Sequence, residues 1–293
     1  MKVLITGAAG FVGSHLAERL SLQHQVFGLV RNVGQLSASN VNWLEVDLSQ
    51  RLDFSALPPR IDAIIHLAQS RYYRDFPKQA GDIFAVNVTG TFDLLEYARH
   101  AGATTFVFAS TGGLDGYSHD KFVETDPVNP LNFYLSSKHV AELLIRNYQQ
   151  FFHTIVFRLF FVYGPGQKSA MLIPRLVRSV RAGEPVTLQG PEGININPVH
   201  VADVVAAFEG ALGLSGHHLI NVGGPQVLSL REIAKIIGER VGREPLITVR
   251  EDEVPSHLIG DVTNMTALLG APRVLFREGV TELCSTPEQG AGR

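Results

Sequence analysis

A doubly wound parallel α/β sheet with a smaller C-terminal lobe is the fold this sequence predicts, and three features predict it. Apolar runs of strand character alternate with helical periodicity from Val3 to Phe161, the pattern of repeated βαβ units. The first run, Val3-Leu4-Ile5, enters Thr6-Gly7-Ala8-Ala9-Gly10-Phe11-Val12-Gly13 and leaves it in a helical pattern of Leu16, Ala17 and Leu20. A chain of 293 residues, 45% hydrophobic, can bury a large core as one domain or two lobes.

The glycine-rich stretch carries the first chemistry. Strand, glycine-rich turn and helix is the arrangement that receives a dinucleotide pyrophosphate. Gly7 allows the sharp turn, Gly10 lets the backbone approach the phosphates, and Gly13 lets the helix pack on the strand. The helix N-terminus, where Phe11 and Val12 sit, offers free N–H groups and a partial positive charge. Gln25 to Val30 reads as a second strand, Trp43 to Val46 as a third ending at Asp47, and Asp62 to Leu67 as a fourth. A helix follows with Asn87-Val88-Thr89-Gly90-Thr91 and Leu94-Leu95, then a fifth strand from Thr105 to Ala109. A long helix from Phe133 to Tyr148 and a sixth strand from Thr154 to Phe161 complete a Rossmann-type sheet.

At Tyr163-Gly164-Pro165-Gly166 the alternation breaks. A short helix from Leu172 to Arg181, a loop-rich segment from Gly183 to His200, a helix from Val201 to Leu212 and the apolar Leu219-Ile220-Asn221-Val222 follow, and then a helix from Leu230 to Val241. The expected division is a dinucleotide-binding domain over 1–164, to which the chain returns around 196–222, and a substrate-binding lobe over 165–293 with a flexible tail at 285–293.

Composition excludes several classes. A net charge of -3 gives no sign of nucleic-acid affinity. No apolar run approaches the roughly 20 residues that span a bilayer, and the chain opens directly on a strand, so neither a membrane span nor a signal peptide is expected. The single cysteine, Cys284, has no disulfide partner and no metal-ligand spacing around it. A cytoplasmic protein without a metal is the expectation.

Five further places carry chemistry. The acidic residue that would bind the adenosine ribose of NAD at the end of the second strand is absent: Val30 is followed by Arg31 and Asn32. A missing carboxylate and an adjacent guanidinium favour NADP, with NAD as the alternative. Asp47, followed by Leu48, ends the third strand, where a carboxylate can accept from the adenine amino group or cap a short helix. In Tyr134-Leu135-Ser136-Ser137-Lys138 the tyrosine and lysine share a helix face. A tyrosine, with a pKa of about 10, is a poor base unless a nearby cation stabilises its phenolate. It can then exchange a proton with an alcohol or carbonyl while hydride moves to or from a nicotinamide. Ser110-Thr111, at the carboxyl end of the fifth strand, can hydrogen-bond the reacting oxygen, and Ser70-Arg71-Tyr72-Tyr73-Arg74 after the fourth strand should border the same cleft.

Taken together, Thr6-Gly7-x-x-Gly10-x-x-Gly13, His66-Leu67-Ala68, Asn87-Val88-x-Gly90-Thr91, Ser110-Thr111, Tyr134-x-x-x-Lys138, Arg158 through Tyr163-Gly164-Pro165, and Pro198-Val199-His200-Val201-x-Asp203-Val204 resemble the extended short-chain dehydrogenase/reductase superfamily, in particular its NAD-dependent epimerase/dehydratase family. The resemblance implies a catalytic triad of Thr111, Tyr134 and Lys138, cofactor contacts from Leu67, Ala68 and Asn87, and a nucleotide-activated sugar bound between the lobes. It also implies a homodimer formed through the helices that carry Asn87 and Tyr134. Gly112-Gly113 stand where the family's dehydratases carry an acid, which disfavours dehydration. The cysteine of the epimerase-reductases has no counterpart nearby. Phe161 stands in place of a sugar-contacting asparagine, and Ile196, Asn197 and Pro198 in place of Arg-Asp-Phe, whose arginine meets the pyrophosphate. Lys168, Arg175, Arg178 and Arg181 are replacement cations, unless the three arginines form a solvated helix face. Candidate substrate contacts are therefore Arg71, Thr111, Gly112, Phe161, Lys168 and Arg175.

The leading expectation is an NADP-preferring 4-keto-sugar reductase. A nucleotide-sugar 4-epimerase, a reductase of a non-nucleotide carbonyl and a non-catalytic NADP sensor are the alternatives, the last opposed by the retained Thr111, Tyr134 and Lys138.

Overall fold

In the computed structural model, residues 1–34, 40–114, 116 and 121–285 are described. In chain order the elements are β1 (Lys2–Thr6), α1 (Phe11–Ser21), β2 (Gln25–Val30), β3 (Val41–Glu45), β4 (Ala63–His66), α2 (Ala80–Phe84), a π-helical turn (Ala85–Thr89), α3 (Gly90–Ala101), β5 (Thr105–Thr111), β6 (Lys121–Phe122), α4 (Phe133–Asn147) and β7 (His153–Leu159). They continue as β8 (Val162–Tyr163), α5 (Leu172–Ala182), β9 (Val186–Gln189), β10 (Asn195–Ile196), β11 (Val199–His200), α6 (Val201–Ala211), β12 (His217–Val222), β13 (Leu228–Ser229), α7 (Leu230–Val241), β14 (Ile247–Arg250), β15 (Ile259–Gly260), α8 (Thr263–Leu269) and α9 (Phe276–Ser285). No helix among the described residues is long and apolar enough to cross a membrane.

Contacts group the chain into two units. The first comprises Met1–Gly116, Glu124–Leu159 and Val205–Ile220, and the second Tyr117–Val123, Phe160–Val204 and Asn221–Arg293. The sequence places the division at 164 with a return at 196–222; in this grouping the chain leaves the first unit at Leu159, rejoins it over Val205–Ile220, and gives Tyr117–Val123 to the second unit. The expected flexible tail begins at Ser285, which is the last residue of α9; 286–293 lie outside the described residues.

The first unit is built on the sheet β12-β7-β5-β4-β1-β2-β3. Every pairing from β7 to β3 is parallel. Such strands are covered on both faces and read as unbroken apolar runs: Ala63, Ile64 and Ile65 of β4 and Phe106 and Val107 of β5 are inaccessible to solvent. Leu94 and Leu95 of α3 pack into this core with Leu4, Ile64 and Phe106. The doubly wound sheet expected from the sequence is the one observed.

In the second unit, α5 and α7 enclose a core of Ile173, Leu176, Val180, Ile233 and Ile237, joined by Phe276 and Val280 of α9. The segment from Gly183 to His200 holds three short strands that sequence alone left as loop. The β9 strand pairs in parallel with β14, and β10 antiparallel with β13. Strands of two to four residues are too short to show a period.

The turn after β1 has little room. Gly7 has φ +67, and a Cβ there would lie 3.0 Å from Ala68. At Gly13 a Cβ would lie 2.1 Å from the Gly7 carbonyl oxygen and 2.9 Å from Ala8. By contrast Gly81, on α2, has nothing within 4 Å of the corresponding position. Gly13→Ala should therefore lower the melting temperature sharply. Gly81→Ala should leave it unchanged or raise it, because alanine removes freedom mainly from the unfolded chain, a gain of about 0.4–1 kcal/mol. Thermal unfolding of the two variants checks the pair.

Candidate active site

A chain of buried polar groups runs under the carboxyl edge of the sheet. His66, inaccessible to solvent, bonds Thr6 Oγ1 through Nδ1 at 2.6 Å and Thr91 Oγ1 through Nε2 at 3.0 Å. Proton bookkeeping assigns the tautomer. Thr91 donates its single hydroxyl proton to the Asn87 carbonyl at 2.6 Å, so it accepts from His66 Nε2–H. Thr6 Oγ1 accepts from the Ala68 N–H at 3.1 Å and donates to the bare Nδ1. Burial, and after it the charge of Lys138, pushes the His66 pKa down to about 3. The imidazole is a neutral structural link between β1, β4 and α3.

Asn87, on the π-helical turn, extends that chain. Its Oδ1 accepts the Ser70 N–H and its Nδ2 donates to Ser137 Oγ, both at 2.9 Å. Ser137 donates to the Tyr134 carbonyl at 2.7 Å. The first turn of α4, whose cap is Asn132 Oδ1 accepting from the Leu135 N–H, is thereby tied to the strand that leads into the glycine turn. The side-chain amide of Asn87, expected among the cofactor contacts, is committed to this bracing.

Thr111, Tyr134 and Lys138 gather at the end of β5. Tyr134 is half-buried and hydrogen-bonded to the Thr111 side chain, and its hydroxyl donates to Gln69 Oε1 at 2.9 Å. Lys138 is buried, and its Nζ donates to the Ala109 carbonyl at 2.8 Å and lies 4.7 Å from the centre of the Phe108 ring. Burial pushes the Lys138 ammonium down to about 7, while Glu142 one turn along acts to raise it. Burial also holds the Tyr134 phenol above its ordinary range, and the Thr111 hydrogen bond works in the opposite sense. A phenolate favoured by the lysine was the sequence expectation. In this structure burial is the largest influence on the phenol, with the Thr111 hydrogen bond next. Beneath them Arg158 and Glu142 form a buried pair at 3.0 Å, and Ser110 donates to the same carboxylate.

At the glycine turn, α1 begins at an N-cap, Gly10, that supplies no side-chain bond. Its first amides are free to meet an anion at the place where no side chain fits, so the residues present suit a pyrophosphate. Phe11 and Val12 are half-buried beside it, as are Leu67 and Ala68 at the end of β4. Arg31 and Asn32 are exposed. Asp47 is exposed and accepts the Ser49 N–H at 2.9 Å, and Leu48 packs its side chain into the core. Arg71 bends back onto its neighbour, donating to the Tyr72 hydroxyl and covering the Tyr72 ring at 4.5 Å. Gly112 donates its N–H to Leu159 at 2.9 Å. Asp115 and Tyr117, whose order departs from the family pattern, lie outside the described residues.

Phe161, Lys168 and Arg175 belong to the second unit. Phe161 is the only non-glycine among the described residues with positive φ, at 46°, a conformation unfavourable for a bulky side chain and more readily adopted by asparagine. Lys168 is exposed, and Arg175 and Arg178 project from α5 opposite the buried Ile173, Leu176, Val177 and Val180. Arg181 caps α9, donating to the Cys284 carbonyl at 2.7 Å. Asn197 clamps Gly260, donating to its carbonyl at 2.8 Å and accepting its N–H at 3.0 Å. His200 packs edge-on to Tyr163 within the same unit.

Two side chains near these residues went unread in the sequence, Gln69, which accepts from Tyr134, and Glu45. Glu45 lies directly opposite Val30 in the β2–β3 register, and its carboxylate accepts the Val33 N–H at 3.3 Å. A carboxylate thus stands at the tip of the second strand, supplied by the third.

This fold and site define a nicotinamide-dinucleotide enzyme of the extended short-chain dehydrogenase/reductase type. More narrowly, the chain belongs to the NAD dependent epimerase/dehydratase family, whose model matches residues 3–223. It is 30% identical over 309 residues to an uncharacterized UDP-glucose epimerase, YtcB, of Bacillus subtilis, with 96% of each chain covered. Among solved structures it is similar to MoeE5 in complex with UDP-glucuronic acid and NAD, at 29% identity and a TM-score of 0.83, covering 97% of this chain and 98% of that one. It is also similar to UDP-glucuronic acid 4-epimerase of Bacillus cereus in complex with UDP-glucuronic acid and NAD, at 26% identity and a TM-score of 0.84, covering 96% of each.

The buried lysine makes stability depend on pH. An unfolded chain keeps the lysine proton up to about pH 10.4, whereas in the fold it is lost near 7. Between those values the folded state binds fewer protons, so stability rises with pH across that window, and the cost of burying the charge is fully present below it. Lys138→Met should flatten this rise and make the protein more stable at pH 6. Urea unfolding of both proteins from pH 6 to 10 measures the difference.

Proposed function

We propose that this protein is an NAD-dependent 4-epimerase of a UDP-activated hexose or hexuronic acid, with Tyr134 as the acid–base group. The observation that carries this reading is the Tyr134 hydroxyl bonded to Thr111 at the carboxyl end of β5, with Lys138 one helical turn on. The epimerases among the relatives and neighbours favour it over the keto-sugar reductase that the sequence alone ranks first. Gly112 and Gly113 have no proton to transfer, which argues against dehydration.

When bound, with its pyrophosphate at the glycine turn and the first amides of α1, NAD would supply the hydride-transfer chemistry. Thr111 holds the oxygen at the reacting carbon, and Tyr134 takes the hydroxyl proton as that carbon becomes a carbonyl. Tyr134 then returns the proton to that oxygen as the alcohol reforms. Lys138 orients the cofactor and favours the phenolate while its ammonium is charged.

NAD rather than NADP is supported by Glu45 as well as by the NAD-bound neighbours. A carboxylate opposite Val30 repels a 2′-phosphate and can accept from a ribose hydroxyl, which offsets the pull of Arg31. Lys168 and Arg175 are the proposed partners of the substrate diphosphate. Exposed Phe92 and Leu143 on α3 and α4, and Phe151 just beyond, are apolar surface suited to a homodimer.

Three measurements test this. The protein should interconvert UDP-glucuronate or UDP-glucose with its C4 epimer without net NADH formation; steady consumption of NADPH instead would identify the reductase. Tyr134→Phe should cut kcat by about 100-fold or more. NAD should raise the melting temperature more than NADP at equal concentration, and no stabilisation by any nucleoside diphosphate would turn the reading toward a non-nucleotide carbonyl.

A further inference from the structure

We infer that Gln69 is a positioning residue for Tyr134, its carboxamide following the proton on the tyrosine hydroxyl by accepting from the phenol and, turned over, donating to the phenolate. The inference rests on the reading of Tyr134 as the acid–base group. It starts from the 2.9 Å bond in which the Tyr134 hydroxyl donates to Gln69 Oε1.

The segment around Gln69 suits that role. Both flanking residues are pinned to the buried polar chain, Ala68 through its N–H to Thr6 Oγ1 and Ser70 through its N–H to Asn87 Oδ1. Ser70 Oγ also donates to Asp82. The backbone at Gln69 is therefore fixed, while its side chain is exposed and free to rotate. The Tyr73 ring lies 5.1 Å from that of Tyr134, and Arg74 lies over Tyr73 at 5.1 Å. The groups around the phenol are thus Thr111 from β5, Gln69 and Tyr73, backed by Arg74, from the segment after β4, and Lys138 on its own helix.

A phenolate needs hydrogen-bond donors. Thr111 has a single hydroxyl proton, shared between the Tyr134 oxygen and the Gly112 carbonyl at 3.1 Å. Lys138 Nζ is directed to the Ala109 carbonyl. The Gln69 carboxamide carries two N–H donors on a side chain that can turn. Donation to an anionic oxygen is stronger than acceptance from a neutral phenol, so Gln69 favours the phenolate overall. Its own proton count never changes: the substrate proton passes only between the sugar oxygen and Tyr134.

The experiment compares Gln69→Ala, Gln69→Glu and Tyr134→Phe in the NAD-loaded protein with UDP-glucuronate and UDP-glucose as probes. Carbon-13 labelling of tyrosine at Cζ gives a readout independent of turnover, in which the Tyr134 resonance is the one absent from Tyr134→Phe. Gln69→Ala should shift that resonance, move the acid limb of the kcat–pH profile to higher pH, and lower kcat at pH 7 by about tenfold, with KM within about twofold and an unchanged melting temperature. Gln69→Glu keeps the acceptor but loses the donor and adds charge, so it should be worse than alanine. A resonance and pH profile in Gln69→Ala that match wild type, a loss confined to KM, or recovery in Gln69→Glu would overturn the role of Gln69 while leaving that of Tyr134 intact. Wild-type turnover in Tyr134→Phe would overturn both.

Discussion

The hydrogen-bond chain from Thr6 through His66, Thr91, Asn87 and Ser137 to the Tyr134 carbonyl is the constraint on which the rest of the first unit depends. It joins the strand that enters the glycine turn to the helix that carries the tyrosine and lysine. Each buried donor in it has an acceptor, which is the condition for such a chain to stabilise a core rather than weaken it. A neutral His66 is essential to the arrangement, since Nε2 must donate and Nδ1 must accept. Burial keeps it neutral far below physiological pH.

Charge is handled as strictly as hydrogen bonding. Arg158 and Glu142 are both almost wholly buried and satisfy each other, with Ser110 on the same carboxylate. Removing one partner of such a pair costs about 3–5 kcal/mol, because the other is left buried and uncompensated. The pair lies beneath Lys138 and couples β5, α4 and β7. Glu142 also moderates the desolvation of the lysine, so the charge of Lys138 is set from the core beneath it as well as from the cleft.

The site was legible where chemistry depends on short sequence spacing. Gly7 and Gly10 lie in the turn after β1 and Gly13 in the first turn of α1, and Tyr134 and Lys138 lie four apart on one helix. It was hidden where contacts cross between strands or return from a loop. Glu45 lies opposite Val30 only through the β2–β3 register, so Val30-Arg31 read alone pointed to NADP. Gln69 meets Tyr134 across 65 positions of chain. Asn87, whose motif implied a cofactor contact, has its amide committed to Ser70 and Ser137.

By itself the sequence determined the sheet, the glycine turn after its first strand and the placing of Tyr134 and Lys138 on one helix face, because apolar periodicity and steric need are local properties of the chain; Thr111 joined them only through the family resemblance. Only the tertiary structure decided which side chains are committed elsewhere, which tautomer His66 holds, how far burial displaces the Tyr134 and Lys138 pKa values, and that Phe161 sits at positive φ. These depend on desolvation and on partners distant in sequence, and so arise only when the strands and helices have been brought together.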